Sequence, residues 1–292
     1  MKKVLVTGAT GLIGKESLEP LAKAGFEVYS LSRHVIASDS EAIQLLEDSR
    51  KRLDCRVANA PRNDIYANLF DHDQIRQLME RLKPEYLLHF AWCTTGDYLT
   101  SDENYKFLEA SKNLVDAFKA AGGRRAMFAG TCFEELAPQT IYAQCKTELR
   151  ESITDLNYAW GRIFYVYGHG EHPKRLTPHL INSLREDKEV TIFNGSLVRD
   201  YMYTKDIAAG FVSVLDSEIT GIVDICTGEG ISLGDYAMKI AAKLGKTNLV
   251  KILNEPTDQP QMIIGNNTKL SAVFKPKYSV DEAIDEILKY AV

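Results

Sequence analysis

Thr7-Gly8-Ala9-Thr10-Gly11-Leu12-Ile13-Gly14 is the stretch on which the fold turns. Its three glycines follow the short apolar run Lys3–Thr7 directly and open the amphipathic stretch Gly14–Ala24. Each glycine answers a separate geometric demand. Gly8 can take backbone angles closed to other residues, Gly11 lets the main chain approach a pyrophosphate, and Gly14 lets helix and strand pack closely. The helix N-terminus then receives negative charge. Elsewhere such a triplet would be a tight turn; between a buried-type strand and a helix it points to dinucleotide binding.

Outward from this turn, apolar runs alternate with amphipathic stretches. Phe26–Leu31, Tyr86–Ala91 and Ala126–Ala129 read as strands, and Asp73–Leu82 and Asn104–Ala121 as helices. Gly25 and Gly122-Gly123 mark helix ends. Strands that are apolar throughout are buried on both faces, which a parallel sheet between helices provides. The expected fold class is therefore α/β, a Rossmann-type doubly wound parallel sheet with a smaller C-terminal α/β lobe. The polar, weakly periodic stretch Val35–Arg62 reads as a loop and a short helix. Beyond Gly168 the rhythm loosens, with a helix near His179–Arg185, a strand near Val190–Phe193 and a turn at Asn194-Gly195. Further alternation follows at Ile222–Cys226, Leu233–Leu244 and Asp281–Ala291. Residues 1–168 are expected to form the dinucleotide-binding domain, with later strands returning to its sheet, and residues 169–292 mainly a substrate-binding lobe.

Composition narrows the partners. A chain of 292 residues, 45% apolar and 26% charged, can bury a substantial core. Its net charge of -5 comes with neither a basic tract nor an acidic tail, which argues against nucleic acid and for a small molecule. No apolar run approaches the roughly 20 residues that span a bilayer, and the first residues carry no signal h-region, so no membrane partner and a cytoplasmic location are expected. The five cysteines are scattered without a Cys-x-x-Cys pair and read as reduced thiols. The six histidines lack ligand spacing, His169 and His172 reading as a loop pair, so no metal site is expected.

NAD sites usually carry an acidic residue at the end of the second strand, for the ribose 2′-hydroxyl. Here the strand ends Leu31-Ser32-Arg33-His34. Ser32 and Arg33 could hold a 2′-phosphate, which favours NADP(H) over NAD(H) as cofactor.

Tyr142 and Lys146 are four residues apart, on one face of a helix. A nearby ammonium is expected to lower the phenol's pKa and ready it for proton exchange. Spacing alone is weak, because Tyr201 and Lys205 share it. Tyr142, however, opens a helix after the strand that ends at Gly130-Thr131, and ligands bind at that end of such sheets. Thr131 can hydrogen-bond a carbonyl oxygen while Tyr142 supplies a proton to the alkoxide and Lys146 reaches the nicotinamide ribose. Cys132 and Cys145 flank this cluster without a neighbouring histidine and read as packing.

Together these residues resemble the extended short-chain dehydrogenase/reductases, the NAD(P)-dependent nucleotide-sugar epimerases, dehydratases and ketoreductases. The resemblance runs nearly the whole chain: it includes Leu88-His89-Phe90-Ala91, the run Arg162 to Gly168 and the run Arg199 to Asp206. It implies a cofactor held by Gly8, Thr10, Gly11, Leu12, Ile13, Gly14, Ser32, Arg33, Asn68, Leu69, Phe90, Ala91 and Trp92, beside Tyr142 and Lys146. It implies a nucleotide-diphosphate sugar contacted by Thr131 and Tyr165, with Arg199 on the diphosphate and Arg175 as a further phosphate candidate. Asp206 is assigned to capping the helix that follows it.

Cys132-Phe133 stands where 4,6-dehydratases carry an Asp-Glu pair, which disfavours dehydration, and the ten-residue gap between Thr131 and Tyr142 is shorter than most members have. The leading expectation is a reductase of a nucleotide-linked 4-keto-deoxysugar. A 4-epimerase with bound NAD would use the same residues, and a non-catalytic NADP-sensing regulator is the alternative from another class. Amphipathic helices such as Asn104–Ala121 could pair in a homodimer.

Overall fold

A computed structural model describes residues 2–32 and 62–290. The loop and short helix expected from Val35 lie outside the described residues, as does Arg33. The elements up to the middle of the chain are β1 (Lys2–Thr7), α1 (Gly14–Lys23), β2 (Phe26–Ser32), β3 (Arg62–Tyr66), α2 (His72–Leu82), β4 (Tyr86–His89), α3 (Glu103–Ala120), β5 (Arg125–Thr131), α4 (Phe133–Leu136), α5 (Ile141–Ser152) and β6 (Asn157–Ile163). There follow β7 (Tyr165–Tyr167), α6 (Leu176–Arg185), β8 (Val190–Ile192), β9 (Val198–Arg199), β10 (Tyr201–Tyr203), α7 (Thr204–Leu215), β11 (Gly221–Ile225), β12 (Ile231–Ser232), α8 (Leu233–Leu244), β13 (Val250–Ile252), β14 (Met262–Ile263), α9 (Thr268–Ser271) and α10 (Val280–Tyr290).

Seven strands make the main sheet in the order β11-β6-β5-β4-β1-β2-β3. β1 pairs in parallel with both β2 and β4, so the chain reverses its direction of travel across the sheet between β1 and β4. That switch point opens a crevice at the C-terminal ends of these strands, where Thr7–Gly8 and His89–Ala91 lie. Burial explains why the strands were readable: β5 is buried at every position, and β1 from Val4 to Thr7. β3 was not foreseen, because among the described residues it is an edge strand paired only with β2 and its sequence, Arg-Asn-Asp-Ile-Tyr, is mostly polar and exposed.

The chain divides into two units, at different places from the expected boundary at Gly168. One holds the described residues up to Gly161 together with Phe211–Ile222; the other holds Arg162–Gly210 and the described residues from Val223. The break comes early because β7 leaves the main sheet to pair with β10, Tyr165 opposite Tyr201. The first unit's core joins Leu5, Ile75, Leu87, Leu114, Phe118, Phe128 and Trp160. In the second unit Tyr167, Leu180, Ile192, Tyr201, Tyr236, Ile240 and Ile284 share a separate core. Asp200, fully buried, staples that unit by accepting from the N–H and hydroxyl of Thr227 and from the N–H groups of Gly228 and Gly265. Asp206 does not cap a following helix as expected. It lies inside α7, and its carboxylate accepts from the N–H groups of Lys277 and Tyr278, both at 3.0 Å. Among the described residues no helix is long and apolar enough to cross a membrane.

Candidate active site

The glycine turn is shaped by close backbone approach. Gly8 has φ +71°, and a Cβ there would lie 2.7 Å from the Ala91 nitrogen. A Cβ on Gly14 would collide with the Gly8 carbonyl, so strand and helix can meet only through a residue without a side chain. Phe90 N–H donates to the Thr7 carbonyl at 3.0 Å and Ala91 N–H to Thr7 Oγ1 at 3.3 Å, which binds the ends of β1 and β4 together. His89 completes this tie, buried between Thr7 Oγ1 at 2.7 Å and Ser111 Oγ at 2.9 Å. Burial holds its pKa down to about 3, so it stays neutral.

Thr10 and Gly11 are exposed, Leu12 and Ile13 half-buried, and no side chain caps the start of α1. An open turn with glycine at three of its positions, leading into a helix that no side chain caps, fits a dinucleotide pyrophosphate. Asn68 is exposed, and its Oδ1 accepts from Phe70 N–H at 3.1 Å. Leu69 is buried in the first core, which leaves its backbone for any ligand contact.

Thr131 ends β5 at 6% exposure, and α5 begins behind a Thr140 side chain that accepts from Ala143 N–H. Tyr142 and Lys146, one turn apart on the buried face of α5, are 7% and 2% exposed. The Thr131 side chain is near enough to act on the Tyr142 phenol. Lys146 Nζ donates to the Ala129 carbonyl at 2.8 Å and sits 3.7 Å from the Trp92 ring centroid. The three expected residues therefore meet at the C-terminal end of β5.

The electrostatics correct the expectation about the phenol. Desolvation raises the pKa of Tyr142 instead of letting it fall, and it pushes Lys146 down to about 7. Taking a charge out of water outweighs what a partly protonated amine, 5.9 Å from the phenol ring centroid, can return. Tyr142 thus holds its proton at neutral pH.

Two residues of this cluster lay beyond the sequence reading. Asn104, 2% exposed, accepts from Trp92 Nε1 at 2.7 Å and donates to the Tyr98 and Ser101 carbonyls at 2.6 and 2.8 Å. It thereby holds the Trp92 indole and the backbone at Tyr98, whose ring packs edge-on to Tyr142 at 5.1 Å. The available signal was an Asn at helical spacing from Phe107, Leu108 and Ser111, on the apolar face of α3. Glu134 is the other. Cys145 sits in the core with its thiol pushed up to about 11, and Cys132 is buried, both as packing.

The model of the NAD dependent epimerase/dehydratase family matches residues 4–226, a span that holds the glycine turn and the whole Thr131–Tyr142–Lys146 cluster. The chain belongs to this family, within the extended short-chain dehydrogenases/reductases. Its relatives include CDP-abequose synthase of Salmonella typhimurium, 23% identical over 98% of this chain and 97% of that protein. dTDP-6-deoxy-L-talose 4-dehydrogenase (NAD(+)) of Aggregatibacter actinomycetemcomitans is 22% identical over 79% of this chain and 86% of its own. Among solved structures, UDP-glucose-4-epimerase from Stenotrophomonas maltophila, with bound NAD and formylated UDP-arabinopyranose, superposes with a TM-score of 0.80 and 20% identity. That match covers 100% of this chain and 98% of the epimerase.

In this epimerase/dehydratase chain, the second unit gathers the remaining expected residues. Arg199 is only 2% exposed. Its Nη1 donates to the Val198 and Pro260 carbonyls at 2.8 and 3.0 Å, and Nη2 to Gln259 Oε1 at 3.1 Å. Its guanidinium lies 5.6 Å from the Tyr165 ring centroid. Arg175, exposed, precedes α6 and acts with Arg199 on the charge balance of Tyr201. A diphosphate on Arg199 would have to replace the Gln259 and Pro260 acceptors.

Proposed function

We propose that this chain reduces the C4 keto group of a nucleotide-linked deoxysugar, with NADPH as the preferred cofactor and Tyr142 as the acid. The observation that carries the reading is the buried Tyr142 hydroxyl, set beside Thr131 and Lys146 at the end of β5 and kept protonated by desolvation. Reduction of a ketone asks for a proton donor at the developing alkoxide, and this phenol is one. The bound nicotinamide supplies the hydride. Thr131 directs its hydroxyl at the sugar oxygen, Tyr142 gives that oxygen its proton, and Lys146 would anchor the ribose and, when protonated, offset the negative charge of the phenolate left behind. Cys132 and Phe133, beside Thr131, carry no second acid–base pair, so elimination of water lacks its groups. Gly8, Gly11 and Gly14 would hold the pyrophosphate, and Arg199, Arg175 and Tyr165 are proposed for the nucleotide end of the substrate. The preference for NADPH rests on Ser32-Arg33 and the absence of an acidic residue there.

A second reading is 4-epimerisation with tightly held NAD, favoured by the likeness to the UDP-glucose-4-epimerase structure. One experiment separates them. Nucleotide-linked 4-keto and 4-hydroxy sugars are offered with NADPH and with NADH, and absorbance at the reduced-nicotinamide band is followed beside product NMR. The reductase consumes reduced cofactor one-for-one with the keto sugar, faster with NADPH. Interconversion of 4-hydroxy sugars without net cofactor change would refute it.

A further inference from the structure

Glu134 takes no part in the hydride transfer just described, yet it is built into the floor of the cluster. Its side chain is 4% exposed. Oε1 accepts from the Thr131 N–H at 2.9 Å and from Trp160 Nε1 at 2.8 Å, while Oε2 accepts from Arg150 Nε at 3.3 Å. The arrangement needs Gly130, where a Cβ would collide with the Trp160 indole nitrogen and lie 2.7 Å from Glu134 Oε1. A carboxylate this deep is costly unless its oxygens are bonded, and these bonds come from the catalytic threonine itself, a core indole and a partly exposed arginine.

The groups around Lys146 are few. On β4, His89 is neutral. On α5, the Cys145 thiol is neutral at pH 7, and Arg150 is tied to Glu134. Cys132, Tyr98 and Glu134 act on Tyr142 from the neighbouring segments. Glu134 and Lys146 are anchored to the same end of β5, Glu134 Oε1 on the Thr131 N–H at 2.9 Å and Lys146 Nζ on the Ala129 carbonyl at 2.8 Å, two residues away; among the described residues Glu134 is the largest influence opposing the amine's burial.

We propose that Glu134 is a positioning residue with two tasks: it clamps the end of β5 through the Thr131 N–H, and its carboxylate is the counter-charge to the buried Lys146 amine. The rate consequence rests on the C4 reduction proposed above, whereas the charge consequence does not. Glu134→Gln keeps an acceptor for Thr131 and Trp160 and removes the charge. Lys146 then gives up its proton at lower pH, and so does Tyr142, because the carboxylate also holds that phenol's proton in place.

The test uses the full chain labelled with 13C-lysine, the Lys146 signal being assigned by its loss in Lys146→Met. In the unsubstituted protein its titration midpoint is expected near 7. In Glu134→Gln it should fall by about one unit. Arg150→Gln, which releases Glu134 from its ion pair, should move the midpoint upward and keeps the test open if Glu134→Gln does not fold. An unchanged midpoint in either folded variant overturns the proposal. With a keto-sugar substrate, Glu134→Gln should lower kcat about tenfold and shift the alkaline limb of its pH profile to lower pH. A loss of rate with the limb unmoved would reduce Glu134 to a structural support. If the unsubstituted protein turns over no nucleotide-linked sugar, the C4 reading fails while the titration still decides the role of Glu134.

Discussion

Tyr142 and Lys146 lie one turn apart on α5, both buried, whereas Tyr201 and Lys205 have the same spacing but lie on different elements, β10 and α7. Tyr201 stacks flat on Tyr236, with ring centroids 4.7 Å apart, as a wall of the second core. Lys205 is 37% exposed and reaches Glu286 at 3.5 Å. In the first pair the amine has lost its water and gained the Ala129 carbonyl and the face of Trp92; in the second it keeps its solvent. Spacing puts two side chains on one helix face only when the helix is there, and chemistry follows from which face is dry.

The largest expected effect is on turnover. Tyr142→Phe should reduce kcat by a factor on the order of 100 or more, with cofactor affinity near that of the unsubstituted protein. Tyr201→Phe should stay within about threefold. Comparable losses in steady-state assays of both would erase the distinction.

Stability sharpens the contrast next. Lys146 loses its proton near 7 in the folded protein against an ordinary 10.5. Between those values the unfolded chain binds the extra proton, so stability rises with pH across that window and the penalty is full below it. Lys146→Met should therefore be more stable than its parent at pH 6.5 and lose that advantage toward pH 10. The gap is on the order of 2 kcal/mol once the orphaned Ala129 carbonyl is counted. Thermal melts across the range decide, and a gap that does not vary with pH would mean the amine is not desolvated.

A smaller effect attaches to the residue that holds Trp92 over the amine. Asn104→Leu should cost about 1.5 kcal/mol in denaturant unfolding, because the Trp92 indole and the Tyr98 and Ser101 carbonyls lose their partner. The second pair has the least at stake. Lys205→Met breaks a partly exposed ion pair and should change stability by under about 0.5 kcal/mol.

Much of the first unit was legible in sequence because its strands are buried on both faces. β1 and β5 read as apolar runs, and the glycine turn sits at the switch point that the strand order creates. The triad was legible because Tyr142 and Lys146 repeat with the period of α5 and Thr131 ends β5. β3 was not, since an edge strand has no apolar signature. Asn104 and Glu134 were hidden as well, because a polar residue announces solvent until the fold closes over it.

What the residues alone determined is local: the longer amphipathic helices and the buried apolar strands, a turn that only glycine can make, and a phenol and an amine set one helical turn apart. Only the tertiary structure decided their energetic state. Burial withholds water from Tyr142 and Lys146, moving one group's proton affinity up and the other's down. It also turns Arg199 inward onto Gln259 and Pro260. Desolvation depends on every atom packed around a charge, and most of those atoms come from distant parts of the chain, so no window of sequence contains it.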